Sequence, residues 1–420
     1  MKPLSKKSAI RKTALSDGLI ILSENLPSYT SISVGVWIKA GSRDELPSEK
    51  GIAHFLEHMV FQGTKRRTSY QIADALESVG GSINAFTAKE ETCYYAHCLP
   101  KYLSLATDLL ADMVCNPSLA EDGIAKEKTV IREEINSVLD TPDDYIFDIL
   151  QEKSFPKHAM GYPILGEKKS ISNFDSNALR AFWSRYYRPE NMVVCVAGDV
   201  DHDTLVGLVE SHFIFNNHNL TSQSQKAPPL NPPDIGKHIL KADVSQAHYS
   251  LAYRTDGFAS IYRLPLIAIN HYLGEGMTAR LFRVLREEHA YVYSVYSFID
   301  FFKDSGMFGV YLGTDLKNIQ PASELARDEI RTLSLDALSK PAIESLKRQL
   351  EGSFLLSLET TFKHMSRLFK SDLYFGEVRP VQAVIKEIND ISPDILMQTS
   401  ELFLGDEQAV SVLLSPEGIA

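Results

Sequence analysis

Residues Ala53–Gln62, AHFLEHMVFQ, set two imidazoles four positions apart with a carboxylate between them in an otherwise apolar run. On a helix, His54 and His58 leave the same face. Imidazole is a common zinc ligand at neutral pH. Glu57 lies beside His58 and one turn from His54, within reach of a water on a shared ion without binding the ion itself. The alternative is two core histidines and a surface glutamate brought together by chance.

The order His-x-x-Glu-His is that of the inverted zinc-protease motif. A reactive zinc needs three protein ligands and one open position, so a third ligand has to come from elsewhere. The helix predicted over Leu119–Leu139 offers Glu127, Glu133 and Glu134. Glu127 and Glu134 are two turns apart on one stripe, with Val130 and Ile131 between them. Glu133 points about 100° away. Read without the histidines, this is a charged surface helix paired through Lys126, Lys128 and Arg132. With them, the metal reading is the stronger.

The whole chain limits the function classes. At 420 residues it exceeds one ordinary core, so two domains are expected. A net charge of −11 argues against nucleic acid as a partner. No apolar run is long enough for a membrane span. The four cysteines form no C-x-x-C pair and read as free buried thiols in a reducing compartment. The basic start, MKPLSKKSAIRK, has no apolar core behind it. It reads as a solvated tail or the remnant of an organelle-targeting arm, and cytoplasm is the expected location.

The positioning elements follow from period and punctuation. ISVGVWI alternates apolar and β-branched strand residues after an Asp17-Gly18 turn. The period then turns helical over KGIAHFLEHMVFQ and again over SYQIADALESV, which stops at Gly80-Gly81. SINAFTAKEETCYYAHC reads as two strands around a polar turn. Two amphipathic helices follow, and then the strand NMVVCVAGDV. Asn216–Lys237, rich in Asn, Ser, Gln and Pro, reads as a linker. The order of strands and helices recurs beyond it. The expected fold is therefore α+β: two homologous domains related by duplication, each a largely antiparallel sheet packed with helices, over 1–215 and 238–420. GEGMTARL (Gly274–Leu281) lacks the G-K-[ST] ending of a phosphate loop and reads as a glycine-rich turn. His97, His248 and His271 lack ligand spacing and read as structural.

On these residues the chain resembles the pitrilysin, insulysin and mitochondrial processing peptidase family of zinc metallopeptidases, in its short-chain bacterial processing-peptidase-like branch. GIAHFLEHMVFQGT carries the resemblance most directly. AKEKTVIREEI, GGSINAFTAKEETCYYA, YYRPENMVVCVAGDV, GEGMTARLFRVLREEHAYVYSVYSF and EGSFLLSLETTFKHMSRL extend it over essentially the whole chain. The resemblance implies His54, His58 and Glu134 as ligands of one zinc ion per chain, Glu57 as general base and Glu127 as an auxiliary acid. It implies that Arg286 and Tyr293 contact substrate. It also implies an edge strand for extended peptides, on which Asn84, Ala85 and Thr87 are the expected contacts. Chains of this length resemble half of the long single-chain enzymes, which implies a homodimer, or a heterodimer with a homologous chain. One departure stands out: His289-Ala290 occupies a place where the family usually has a basic residue and glycine.

The function expected is a zinc-dependent endopeptidase acting on unfolded peptides or presequence-like segments. The alternatives are a catalytically silent scaffold or assembly subunit of the same fold, and a zinc hydrolase of a non-peptide substrate.

Overall fold

Ile32–Ile38 is buried at every position, as a strand covered on both faces must be. The computed structural model describes residues 9–215, 228–335 and 338–416. The basic tail at 1–8 and most of the expected linker, 216–227, lie outside the described residues. The strands are β1 (Ala9–Ala14), β2 (Ile20–Asn25), β3 (Ile32–Ile38), β4 (Ser82–Thr87), β5 (Thr92–Cys98), β6 (Met192–Gly198), β7 (Gly236–Lys241), β8 (Ala247–Thr255), β9 (Ser294–Phe301), β10 (Gly306–Thr314) and β11 (Val410–Ser415). The first helices are α1 (Ile52–Phe61), α2 (Ser69–Glu77), α3 (Leu103–Cys115), α4 (Glu121–Leu139), α5 (Pro142–Ser154), α6 (Lys168–Asn173), α7 (Ser176–Tyr186) and α8 (His202–His212). Beyond these come α9 (Arg263–Gly274), α10 (Ile319–Leu335), α11 (Lys340–Ser357), α12 (Thr361–Phe375), α13 (Val381–Asn389) and α14 (Pro393–Phe403).

The chain divides into two compact units. The first comprises Met1–Ile135, Pro163–Pro228 and Ser357–Val378; the second comprises Asn136–Tyr162, Pro229–Leu356 and Arg379–Ala420. The two sheets fall on either side of the expected linker, with β7 starting just inside its end. The units themselves do not follow the chain contiguously. α5 precedes the linker yet belongs to the second unit, and α12 follows it yet belongs to the first.

In the first unit the sheet order is β1-β2-β6-β3-β5-β4. One face carries Val34, Val36, Tyr94, Val194 and Val196 against α1, α3, α7 and α8. The other carries Leu22, Trp37, Cys93 and Cys195 against Met365, Leu368 and Phe369 of α12. Phe369 stacks on Trp37 with centroids 4.2 Å apart. α12 is also tied down by charge: Glu24 accepts from His364 Nδ1 at 2.9 Å and from Arg367 at 3.1 Å, and Lys12 pairs with Asp372. Burial pushes the Glu24 carboxyl up, but the His364 hydrogen bond and the Arg367 charge outweigh it and hold the group below its ordinary value. A carboxylate so depressed adds stability above its unfolded pKa of about 4.3, and the contribution is lost as pH falls through the folded value. Glu24→Gln is therefore expected to destabilise the protein by about 3 kcal/mol at pH 7 and by much less at pH 3. Urea unfolding at the two pH values checks this, and an equal loss at both would refute the ion-pair account.

The second unit has the order β7-β11-β8-β10-β9. Ile146, Ile149 and Leu150 of α5 cover one face through Ala252, Val410, Val412 and Leu414. α9, α10 and α14 pack around the opposite core, which holds Leu251, Phe308, Val310 and Leu413. The expected duplication appears in the strand pairings. β2-β6-β3-β5-β4 and β7-β11-β8-β10-β9 share one order, with the first pair parallel and the rest antiparallel. Phe282–Glu288 is a π-helical segment. Past its end Ala290 takes φ 53°. This is the left-handed region where glycine costs nothing and an L-residue about 1–2 kcal/mol, so the departure at His289-Ala290 leaves a left-handed turn in place.

Candidate metal centre

α1 is apolar almost all round. Ile52, Ala53, Phe55, Leu56, Met59 and Val60 are buried. That leaves His54, Glu57, His58 and Phe61 as a half-open stripe, with the three polar side chains together on it. The start of the helix is fixed by a residue outside it. Glu45, itself buried, accepts from the backbone N–H of Gly51 at 2.9 Å and of Ala53 at 3.0 Å, satisfying donors that a helix N-terminus leaves open. Gly51 has φ 88°, and a Cβ there would come within 2.6 Å of the Leu165 carbonyl oxygen. The helix is thus seated against backbone too close for any side chain.

α4 brings the distant carboxylates. Ile124, Glu127, Ile131 and Ile135 are buried, Glu134 is half-buried and Glu133 is exposed. Val130, expected on the inward stripe, is exposed. His54, His58 and Glu134 each offer an atom within 4.8 Å of the others. Glu134 Oε2 lies 4.0 Å from His54 Nε2, and Oε1 lies 3.8 Å from His58 Nε2. These separations are too long for hydrogen bonds. Ligands about 2.0–2.2 Å from one tetrahedral ion stand about 3.3–3.6 Å apart, so the side chains need close by only a few tenths of an ångström to share a cation. Glu134 Oε2 is buried without a hydrogen-bond partner, as an oxygen reserved for a cation would be.

The electrostatics agree. His54 is pushed down to about 3 by burial and then by the neighbouring His58, so its imidazole is neutral at pH 7 with a lone pair to offer. At His58 burial acts downward, yet the Glu127 hydrogen bond and the charges of Glu134, Glu127 and Glu57 raise it overall. Three carboxylates around two imidazoles form a concentration of negative charge that a divalent cation neutralises. By donor type, spacing and charge, the residues present fit zinc.

Glu57 stands beside this set. Its Oε2 accepts from Thr87 Oγ1 at 2.6 Å. Burial raises its pKa, the Thr87 bond and His58 pull it down, and Glu134 adds to the rise; the net direction is upward. Thr87, read from the sequence as a substrate contact, therefore holds the base candidate. Glu127 Oε2 accepts from His58 Nδ1 at 2.9 Å, directly behind the ligand face. Asn84 and Ala85 lie on β4, the outermost strand of its sheet. Asn84 Oδ1 accepts the Ala85 N–H at 2.8 Å, covering a donor on the open edge. Arg286 and Tyr293 belong to the second unit, whereas the His54–His58–Glu134 cluster is built wholly within the first. Arg286 packs over the Phe282 ring at 4.9 Å, and Tyr293 is 56% exposed. His97, His248 and His271 bond to Ser33, Tyr311 and Glu275. The four cysteines are free and buried.

Sequence reasoning missed two residues here. Gln62 continues the 54–58 spacing by one more turn and reaches Glu127, so its signal was present in the i, i+4 pattern. Glu45 had none, because its place at the head of α1 depends on a chain reversal.

Residues 20–168 match the insulinase domain of peptidase family M16, and residues 173–350 match the peptidase M16 inactive domain. The chain belongs to peptidase family M16. An uncharacterized zinc protease of Bacillus subtilis (strain 168) is 36% identical over 413 residues, covering 97% of this chain and 99% of that one. An uncharacterized zinc protease of Mycobacterium leprae (strain TN) is 37% identical over 417 residues, covering 98% and 93%. A protease from Helicobacter pylori has the same fold, with a TM-score of 0.90 at 22% identity over 98% of this chain and 100% of that one. A structure titled as a peptidase M16 inactive domain from Pseudomonas fluorescens reaches 0.90 at 17% identity, over 97% and 98%. Among the described residues of this M16 chain, no helix is long and apolar enough to cross a membrane.

Proposed function

We propose that this chain is a zinc endopeptidase that cuts extended, unfolded peptides or presequence-like segments. The observation that carries the proposal is the convergence of His54, His58 and Glu134 with Glu57 adjacent but outside the ligand set. Bound zinc would supply a positive charge that polarises a peptide carbonyl and acidifies water. The rest is the work of side chains. Glu57 takes the proton of the attacking water and returns it to the leaving amine nitrogen. A raised carboxyl pKa suits both transfers, since the proton is held strongly enough to be carried and weakly enough to be released. Thr87 fixes which Glu57 oxygen faces the reaction. Glu127 keeps the proton of His58 on Nδ1 and so leaves Nε2 free for the ion.

The substrate backbone adds to the open edge of β4, where main-chain hydrogen bonds tolerate many sequences. Asn84 Oδ1 gives up the Ala85 N–H as the peptide arrives. Arg286 and Tyr293 have the donor chemistry an oxyanion needs. In a homodimer they would serve the partner chain's zinc. A cytoplasmic location completes the reading. The test is metal-loaded protein incubated with a diverse peptide mixture, with elemental analysis beside it. Cleavage at one zinc per chain is expected, and zinc-loaded protein that cuts no peptide would overturn the proposal.

A further inference from the structure

Glu127 is held from two sides. While Oε2 accepts from His58, Oε1 accepts from Gln62 Nε2 at 2.5 Å. Glu127 is 6% exposed, so neither oxygen has ready access to water as a substitute partner. Gln62 follows α1 directly, one turn past His58. It also lines a polar cleft of about 350 Å³ shared with Gly63, Thr64, Ser118, Gly123 and Lys126. The three side chains thus form a chain from an open polar cleft, through a buried carboxylate, to a metal-facing imidazole.

A carboxylate bonded through one oxygen can still turn about its terminal torsion; one bonded through both is fixed in plane and position. Removing the Gln62 donor leaves Oε1 buried and unsatisfied, a costly state for a charged group. Held by His58 alone, Glu127 is free to turn about its terminal torsion, and that movement lengthens the bond to His58 Nδ1. We infer that Gln62 is a positioning residue: acting through Glu127, its amide holds the His58 tautomer and ring angle that present Nε2 to the ion. The amide is suited to this because it donates without charge. A lysine would compete for Glu127 electrostatically, and a glutamate would repel it. The inference rests on the metal reading of His54, His58 and Glu134.

The experiment compares the full-length wild-type chain with Gln62→Met, which keeps the length and removes the donor, and with Gln62→Glu. Zinc affinity and dissociation are read by chelator competition, and the His58 tautomer from imidazole ¹⁵N shifts of the zinc-loaded protein. Partners that orient ligands are worth about 10–100-fold in metal affinity. Gln62→Met is expected to lose about 10-fold and to shift the His58 nitrogens, and Gln62→Glu to lose more. In a Glu127→Ala background Gln62→Met should have almost no further effect, since the two act as one unit. Zinc release within twofold of wild type with unchanged ¹⁵N shifts would overturn the inference, as would a full Gln62→Met loss persisting without Glu127. A wild-type chain that binds no zinc would overturn the metal reading and this inference with it. Wild-type zinc binding with a silent Gln62→Met would remove only the inference.

Discussion

Glu57→Gln is expected to lower kcat for a quenched peptide by about 10²–10⁴-fold, the range of a general acid–base group, while zinc stays at one per chain. The two effects separate because Glu57 lies outside the set formed by His54, His58 and Glu134. Glutamine keeps the size and an oxygen that can accept from Thr87, so α1 and its buried face are undisturbed. What it lacks is a site for a proton. Steady-state kinetics with elemental analysis checks both halves. Activity within tenfold of wild type at full zinc content would exclude Glu57 as the base. A silent-scaffold reading requires that wild type and variant be equally inert.

Glu134→Gln should instead remove the metal. Zinc sites of the tightest kind bind with about 10–16 kcal/mol. Loss of one of three ligands removes on the order of a third of that, so zinc affinity should fall by roughly 10²–10⁴-fold. Glu133→Gln is the control. Glu133 is next in sequence but exposed and about 100° away around the helix, and its substitution should leave affinity within about twofold. The metal-free proteins should behave in the opposite sense. Without the ion, Glu134 adds a negative charge near Glu57 and has a buried oxygen with no hydrogen-bond partner. Its neutralisation should therefore leave the metal-free thermal midpoint unchanged or raise it. Equal zinc binding by Glu134→Gln and wild type, or equal loss in Glu133→Gln, would remove Glu134 from the ligand set.

Much of this site was legible in the chain because its parts are periodic. The i, i+4 spacing of His54 and His58 fixes a common face whenever the segment is helical, and the apolar residues around them make it so. The same holds for Glu127 and Glu134, two turns apart on α4. The outer position of β4 was expected from the family resemblance and appears in the sheet order. The bond from Thr87 to Glu57 was not legible, because strand alternation says which face a residue takes but not which helix residue will meet it.

The sequence by itself determined the elements, their order and repetition, and the chemical types gathered on α1, α4 and β4. These follow from local periods and from punctuation by glycine and proline, which act over a few residues. Only the tertiary structure decided that α5 covers the second sheet and α12 the first, and that Glu45 caps α1. It alone set Thr87 on Glu57 and Gln62 on Glu127. An amphipathic pattern specifies that a face must be buried; the partner that buries it is chosen by the free energy of the whole packed chain, over sequence separations that no local period records.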